Sequence, residues 1–202
     1  MPILSEGARY HRCMGVRAAA ALLFAVLAGR AGAQPGRPAP AAGSPEALLA
    51  EIDRLGARAV VNELYEDDTR WDAVKAGVTS GARAWLEVAR RLKREAETSG
   101  PGQDLTEAVA SALERAPARV LAVLDEQSFD ADDVCSLNTI EDSLGREFTA
   151  ALRTVERRER AVASVADRSI AGRKRDCLSF LHELKREVIR NRAEWFPGGD
   201  GR

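Results

Sequence analysis

With 202 residues, 30 basic against 31 acidic side chains and a formal charge of −1, the chain is long enough for a sizeable core and has no global basic excess to draw it onto nucleic acid. Aromatic side chains make up 5% of it, too few for an aromatic-rich sugar cleft, and no stretch alternates apolar and polar with period two, so nothing reads as strand. The expected fold is all-α.

In chain order, the first signal runs from Gly15 to Ala33. Arg17 precedes the apolar run Ala18 to Gly29, and the small residues Ala31-Gly32-Ala33 follow, the order of charge, apolar core and cleavage site in a secretory signal peptide. Residues 1–33 are therefore expected to be removed, leaving Gln34 as the mature start in the periplasm or outside the cell. Glu6 and His11 interrupt the leader's front, which makes Met14 an alternative start to Met1. The twelve-residue run spans about 18 Å as a helix against a hydrocarbon core of about 30 Å, and no cysteine follows it for lipid attachment, so no stable membrane anchor is expected. Without the leader, 26 basic and 30 acidic residues remain. They are uneven: Gln34 to Ala150 is net −9 and Ala151 to Trp195 net +5.

Residues 34–43 carry Pro35, Pro38 and Pro40 among Ala and Gly and read as an extended tether. A single helical domain over residues 44–195 follows, with residues 196–202 as a flexible tail. Ser44 suits an N-cap, Pro45 the first helical position and Glu46 the positive helix end, ahead of the apolar Leu48, Leu49, Ile52 and Leu55. Gly56 stops that helix. A second presents Val60, Val61, Leu64 and Tyr65 and ends at Glu66-Asp67-Asp68, which with Asp72 reads as the acidic start of a third in front of Trp71.

From Trp71 the pattern repeats. Trp71, Val74 and Val78 form one face, Ser80-Gly81 a turn, and Trp85, Leu86, Val88, Ala89 and Leu92 a second face. A shift of 35 residues carries Val74 onto Val109, Val78 onto Leu113, Gly81 onto Ala116, Trp85 onto Val120 and Leu86 onto Leu121. Two helical hairpins at that offset suit a short α-solenoid, in which each hairpin hides its apolar face only by stacking on a neighbour. Gly56-Ala57-Arg58-Ala59 repeats the turn Gly81-Ala82-Arg83-Ala84 and suggests a shorter copy in front. The core expected from this repeat is Trp71, Val74, Val78, Trp85, Leu86, Leu113, Val120, Leu121 and Leu124.

Beyond Asp133 a long helical segment to about Ala166 and another from about Ser169 to Asn191 make a C-terminal hairpin. Cys13 leaves with the leader, so Cys135 and Cys177 form an even pair in an oxidising compartment, where a disulfide is expected. A straight helix from Asn138 to Val165 would be about 40 Å long and hold the sulfurs about 25 Å apart, whereas a disulfide needs Cα atoms within about 7 Å. Either the helix breaks or starts late, with Gly145 the natural place, or the cysteines bridge two chains or stay free.

Chemistry is thinly signalled. His182, in Phe180-Leu181-His182-Glu183-Leu184, is the single histidine of the mature chain and reads as a helix-surface residue with no nucleophile motif beside it. Cys135, Cys177 and His182 lack the paired spacing of a zinc site, and no cofactor is implied. The acidic run Asp125 to Asp133 has oxygens enough to interest calcium but lacks the glycine and closing Glu of a helix-loop-helix site; it reads as a solvated loop capping the next helix. Carboxylates such as Asp132 and Asp133 keep open a ligand- or metal-binding protein or an enzyme built on that loop. Trp71 and Trp85 read as core, and Trp195-Phe196 as a chain end that docks or stays mobile. Arg157-Arg158 and Arg173-Lys174-Arg175 read as solvated faces.

The run Ala59-Val60-Val61, Leu64-Tyr65, Trp71, Val74, Gly77-Val78, Ser80-Gly81, Trp85-Leu86, Val88-Ala89 and Leu92, with Val134-Cys135 and Asp176-Cys177-Leu178 further on, resembles a group of uncharacterised, exported bacterial helical proteins. The resemblance covers most of residues 60–184. It implies a HEAT-like helical fold with a C-terminal cysteine pair and carries over no activity, cofactor or site. Together these readings lead to a periplasmic, non-enzymatic interaction module of adaptor, scaffold or inhibitor and immunity type, with an unidentified protein partner, no nucleic acid, and the carboxylate-based binder or enzyme as the alternative.

Overall fold

A computed structural model of the chain describes residues 43–96, 100–136 and 147–196; the expected leader, the tether to residue 42, Gly145 and residues 197–202 lie outside them. Ser44 Oγ accepts from the Ala47 amide at 3.2 Å and Pro45 opens helix α1 (Pro45–Leu55), whose buried side is Leu48 and Ile52. Leu55 is exposed, because the chain reverses at Gly56, with φ of 84°, before Leu55 can face a neighbour. Helix α2 (Ala57–Glu66) buries Val60, Val61 and Leu64. Asp67 ends it and caps α3 (Asp68–Thr79) by accepting from the Arg70 amide at 3.1 Å. Tyr65, expected on the inner face, is instead exposed; its ring meets Trp71 edge-on, with centroids 5.6 Å apart.

The two hairpins predicted at the 35-residue offset are α3 with α4 (Arg83–Lys93) and α5 (Pro101–Ala112) with α6 (Pro117–Val123). Corresponding helices lie side by side, α3 on α5 and α4 on α6. Their turns also meet: Gly81, with φ of 70°, lies so close to Ala112 and Ala116 that an added Cβ would stand 2.5 Å from the Ala116 Cβ. Left-handed backbone and lack of room both demand glycine there. The leading hairpin continues the arrangement only in part, since α2 does rest on α4. A continued stack would set α1 on α3, whereas α1 packs against α4 and α2 against α3, because a single residue, Gly56, joins α1 to α2 and reverses the chain too sharply for the register of the later turns.

Of the core expected from the repeat, Trp71, Val74, Val78, Leu86, Leu113, Val120, Leu121 and Leu124 are all buried. Trp85 is half-buried instead. Its indole lies flat over Gly77, where any side chain would collide with the ring, so it seals the α3–α4 hairpin from outside while Leu86, Val88 and Leu92 fill the interior. Trp71 is held by a polar contact as well, its Nε1 donating to Asp104 Oδ2 at 2.6 Å across from α3 to α5.

After α6, Leu124 turns extended and a short loop closes with the Asp125 amide donating to the Phe129 carbonyl at 2.8 Å. Phe129 is fully buried and helix α7 (Ala131–Cys135) follows. Helices α8 (Phe148–Ala163) and α9 (Ala171–Arg190) form the C-terminal hairpin, and α10 (Arg192–Trp195) folds back at its far end. The described residues contain no strand, only the isolated bridge between Asp125 and Phe129, and the fold is all-α.

The sulfurs of Cys135 and Cys177 lie at bonding distance, with Cα atoms 5.4 Å apart, and both residues are fully buried between α7 and α9. The straight helix that would have kept them apart does not form: Glu147 is extended, with φ of −117° and ψ of 123°, and α8 starts late, at Phe148. Phe196, assigned to the tail from sequence, is buried against Phe148 with ring centroids 5.8 Å apart, because α10 turns the chain end back onto the hairpin.

Candidate functional site

Three surface features gather chemistry-bearing side chains. The first is a groove of about 650 Å³ between α4 and α6, floored by Ala118, Ala122 and Val123 and rimmed by Arg83, Arg90 and Arg119, with Glu87 and Asp167 also on its wall. The helices lie parallel in the stack, so their exposed faces bring Arg83 and Arg119 to the same end. Arg90 is committed, its Nε 2.9 Å from Glu87 and its Nη1 3.8 Å from Asp125. Asp167 is committed too, accepting from the Ser169 amide at 2.9 Å and the Ser169 hydroxyl at 2.7 Å. Arg83 and Arg119 are exposed and make no ion pair among the described residues.

The second is the acidic loop, beside a hollow of about 370 Å³ lined by Asp125, Glu126, Asp130, Arg173 and Asp176. Its carboxylates are partly spent on holding the loop. Asp125 Oδ1 accepts from the Gln127 amide at 3.0 Å, the Ser128 amide at 2.8 Å and the Ser128 hydroxyl at 2.7 Å, while Oδ2 faces Arg94 at 3.4 Å. Burial works against the charged form of Asp125, yet these donors outweigh it and hold the carboxyl below its ordinary range. Asp130 caps α7 by accepting from the Asp133 amide at 2.7 Å, the role expected of this run. Asp133 differs: burial, with Asp130 and Asp132 adding negative charge, pushes its pKa up. Lys93 stands nearby, half-buried, donating to the Gly102 carbonyl at 3.0 Å with its ammonium lowered in pKa by burial. Among the described residues no three His, Cys, Asp or Glu side chains converge as a metal site.

The third lies across α8 and α9. His182 is exposed, as expected for a helix surface, with Nε2 2.9 Å from Glu159 Oε1; Lys185 sits 3.2 Å from Glu156 and 3.3 Å from Glu159. Burial disfavours the Glu159 carboxylate, but hydrogen bonding and charge from Lys185 and His182 more than offset this and keep its pKa below the usual value. Among the described residues the imidazole meets the Glu159 carboxylate, and with Lys185 it makes a polar seam across the two helices.

Compared with family models, curated proteins and solved structures, the chain gives no match to any.

The sequence reading placed some of these side chains wrongly. Arg157 is solvated as expected, pairing with Glu114 at 2.9 Å, but Arg158 is only 3% exposed. Its spacing carried the signal: Ala151, Val155, Arg158 and Val162 recur at steps of four, three and four and share the buried face of α8. Arg173 and Arg175 are exposed, as expected of a solvated face, Arg173 also donating to the Ala122 carbonyl at 3.2 Å, whereas Lys174 is half-buried, its Nζ donating to the Ala163 and Val165 carbonyls, both at 2.6 Å, where α8 ends. The pairing of Arg83 with Arg119 in one groove had no sequence signal beyond the repeat itself, which sets them 36 positions apart, one residue off the 35-residue offset.

Proposed function

We propose that the chain is an exported, non-enzymatic protein-interaction module, of adaptor, scaffold or inhibitor and immunity type, whose docking face is the groove between α4 and α6. The observation that carries this reading is the pair of uncommitted guanidinium groups, Arg83 and Arg119, above the apolar floor of that groove. Arginine offers a planar fork to carboxylates, so the occupant that fits is an acidic segment of another exported protein, laid along the groove with side-chain carboxylates on the two arginines and apolar residues on Ala122 and Val123. The order of charge, apolar run and Ala31-Gly32-Ala33 supports export, and the buried cysteine pair is compatible with an oxidising compartment. Short stacked hairpins in the manner of HEAT-like exported proteins support an interaction role, since such arrays present extended faces with no enclosed cleft. Among the described residues no helix is long and apolar enough to cross a membrane.

Two measurements test this. N-terminal sequencing of the protein recovered from the periplasm is expected to begin at Gln34; an intact leader on cytoplasmic protein would remove the compartment from the argument. Capture with the mature chain is expected to retain a protein that is released by salt and is lost with the double variant Arg83→Glu, Arg119→Glu while that variant keeps its helical circular dichroism. Retention unchanged by the charge reversal would exclude this groove. The alternative, a carboxylate-based binder or enzyme at Asp125 to Asp133, predicts instead that calcium or a small ligand raises the melting temperature.

A further inference from the structure

The hairpin of α8 and α9 belongs to two cores. Val162, Cys177 and Leu181 join the main core, whereas Ala151, Val155, Leu184, Val188 and Phe196 form a second cluster drawn only from α8, α9 and the residue after α10. The boundary on α8 is Arg158. It is buried, yet its Nε and Nη1 have no hydrogen-bond partner, while Glu156, Glu159, His182 and Lys185 form the polar seam on the outside at the same level. The contacts from the hairpin to the preceding helices lie at or on the near side of this belt: the Cys135 to Cys177 bond, the Arg173 donation to the Ala122 carbonyl and, at the belt itself, the Arg157 to Glu114 pair.

We propose that the far end of the hairpin, residues 148–156 and 184–196, is a separately opening unit hinged at Arg158, which uncovers Phe148, Trp195 and Phe196 while the disulfide-stapled remainder stays closed. Two opposed terms set this balance. Closing buries the five apolar residues of the second cluster and sets the Arg192 guanidinium 4.5 Å from the Phe148 ring centroid. It also strips water from a guanidinium that receives only partial replacement, and an unpaired buried charge is costly until water returns. Opening lets water reach Arg158 and requires no loss from the main core, so it proceeds below the free energy of global unfolding. The exposed apolar surface is then a second face, independent of the arginine groove.

Hydrogen exchange followed by mass spectrometry on the full oxidised chain tests this. Amides of residues 149–156 and 185–195 are expected to exchange at least about tenfold faster than those of residues 105–112, 118–123 and 172–181, although both sets lie in helices with buried residues. Arg158→Met removes the penalty on closure and is expected to slow exchange at the far end by about tenfold or more, with the near residues unchanged. Val188→Ala is expected to do the reverse, speeding the far end alone, and serves if Arg158→Met misfolds. One common exchange rate for both sets, or variants that shift both sets equally, would show a single cooperative unit and overturn the proposal.

Discussion

Truncation of Leu121 to Ala is expected to destabilise the oxidised chain by about 2 to 5 kcal/mol, read as a fall in the urea midpoint with unchanged slope. Leu121 is fully buried on α6, a helix of seven residues that is far too short to hold its shape without packing. Its side chain and that of Val120 are what α6 offers to the main core, and Leu86 makes the equivalent contribution from α4. Because the α5–α6 hairpin stacks on the α3–α4 hairpin, the cavity cannot be closed by moving one helix without separating the pair. A loss of less than about 0.5 kcal/mol, the size of an ordinary surface substitution, would contradict the packing described.

The second large effect is expected from the cysteines. Cys135→Ala and Cys177→Ala should each lower stability by about 4 kcal/mol in the chain-entropy account, since the bond closes a loop whose ends are 42 positions apart. The double variant should be no worse than the singles beyond the small loss of sulfur volume, because either substitution already removes the same bond. Mass analysis of the native monomer under non-reducing conditions should show no free thiol at either position. Additive losses, two alkylatable thiols, or a dimer dissolved by reductant would each contradict an intramolecular bond. Both sulfurs are buried, so reductant should act on the folded protein only after it opens.

These two expectations differ in how far the sequence alone supports them. The burial of Leu121 follows from the repeat, because Leu86 and Leu121 occupy equivalent positions and a hairpin with one apolar face must cover it. The pairing of the cysteines needed something more. From the sequence, a straight helix through residue 147 was as consistent with the apolar spacing as a late start, and the two alternatives put the sulfurs far apart or together. The extended backbone at Glu147 decides between them, two residues after Gly145, the place the sequence marks for a break.

Helix formation, the N-caps at Ser44, Asp67 and Asp130, the stops at Gly56 and Gly81 and most of the inner face were determined locally, by spacing of 3.6 residues and by the donors that a helix start leaves unmet. Those rules act within a few residues and so can be read along the chain. Which surfaces cover which is a matter of long-range packing, and there tertiary structure alone decided: that α1 rests on α4, that Tyr65 and Leu55 stay outside, that Trp85 lies over Gly77, and that Arg83 meets Arg119 across one groove. Arg158 shows the division most sharply. Its place on the inner face of α8 was fixed by periodicity, but whether a guanidinium there reaches water or is sealed in depends on how closely the neighbouring helices approach, and that distance is a property of the assembled fold.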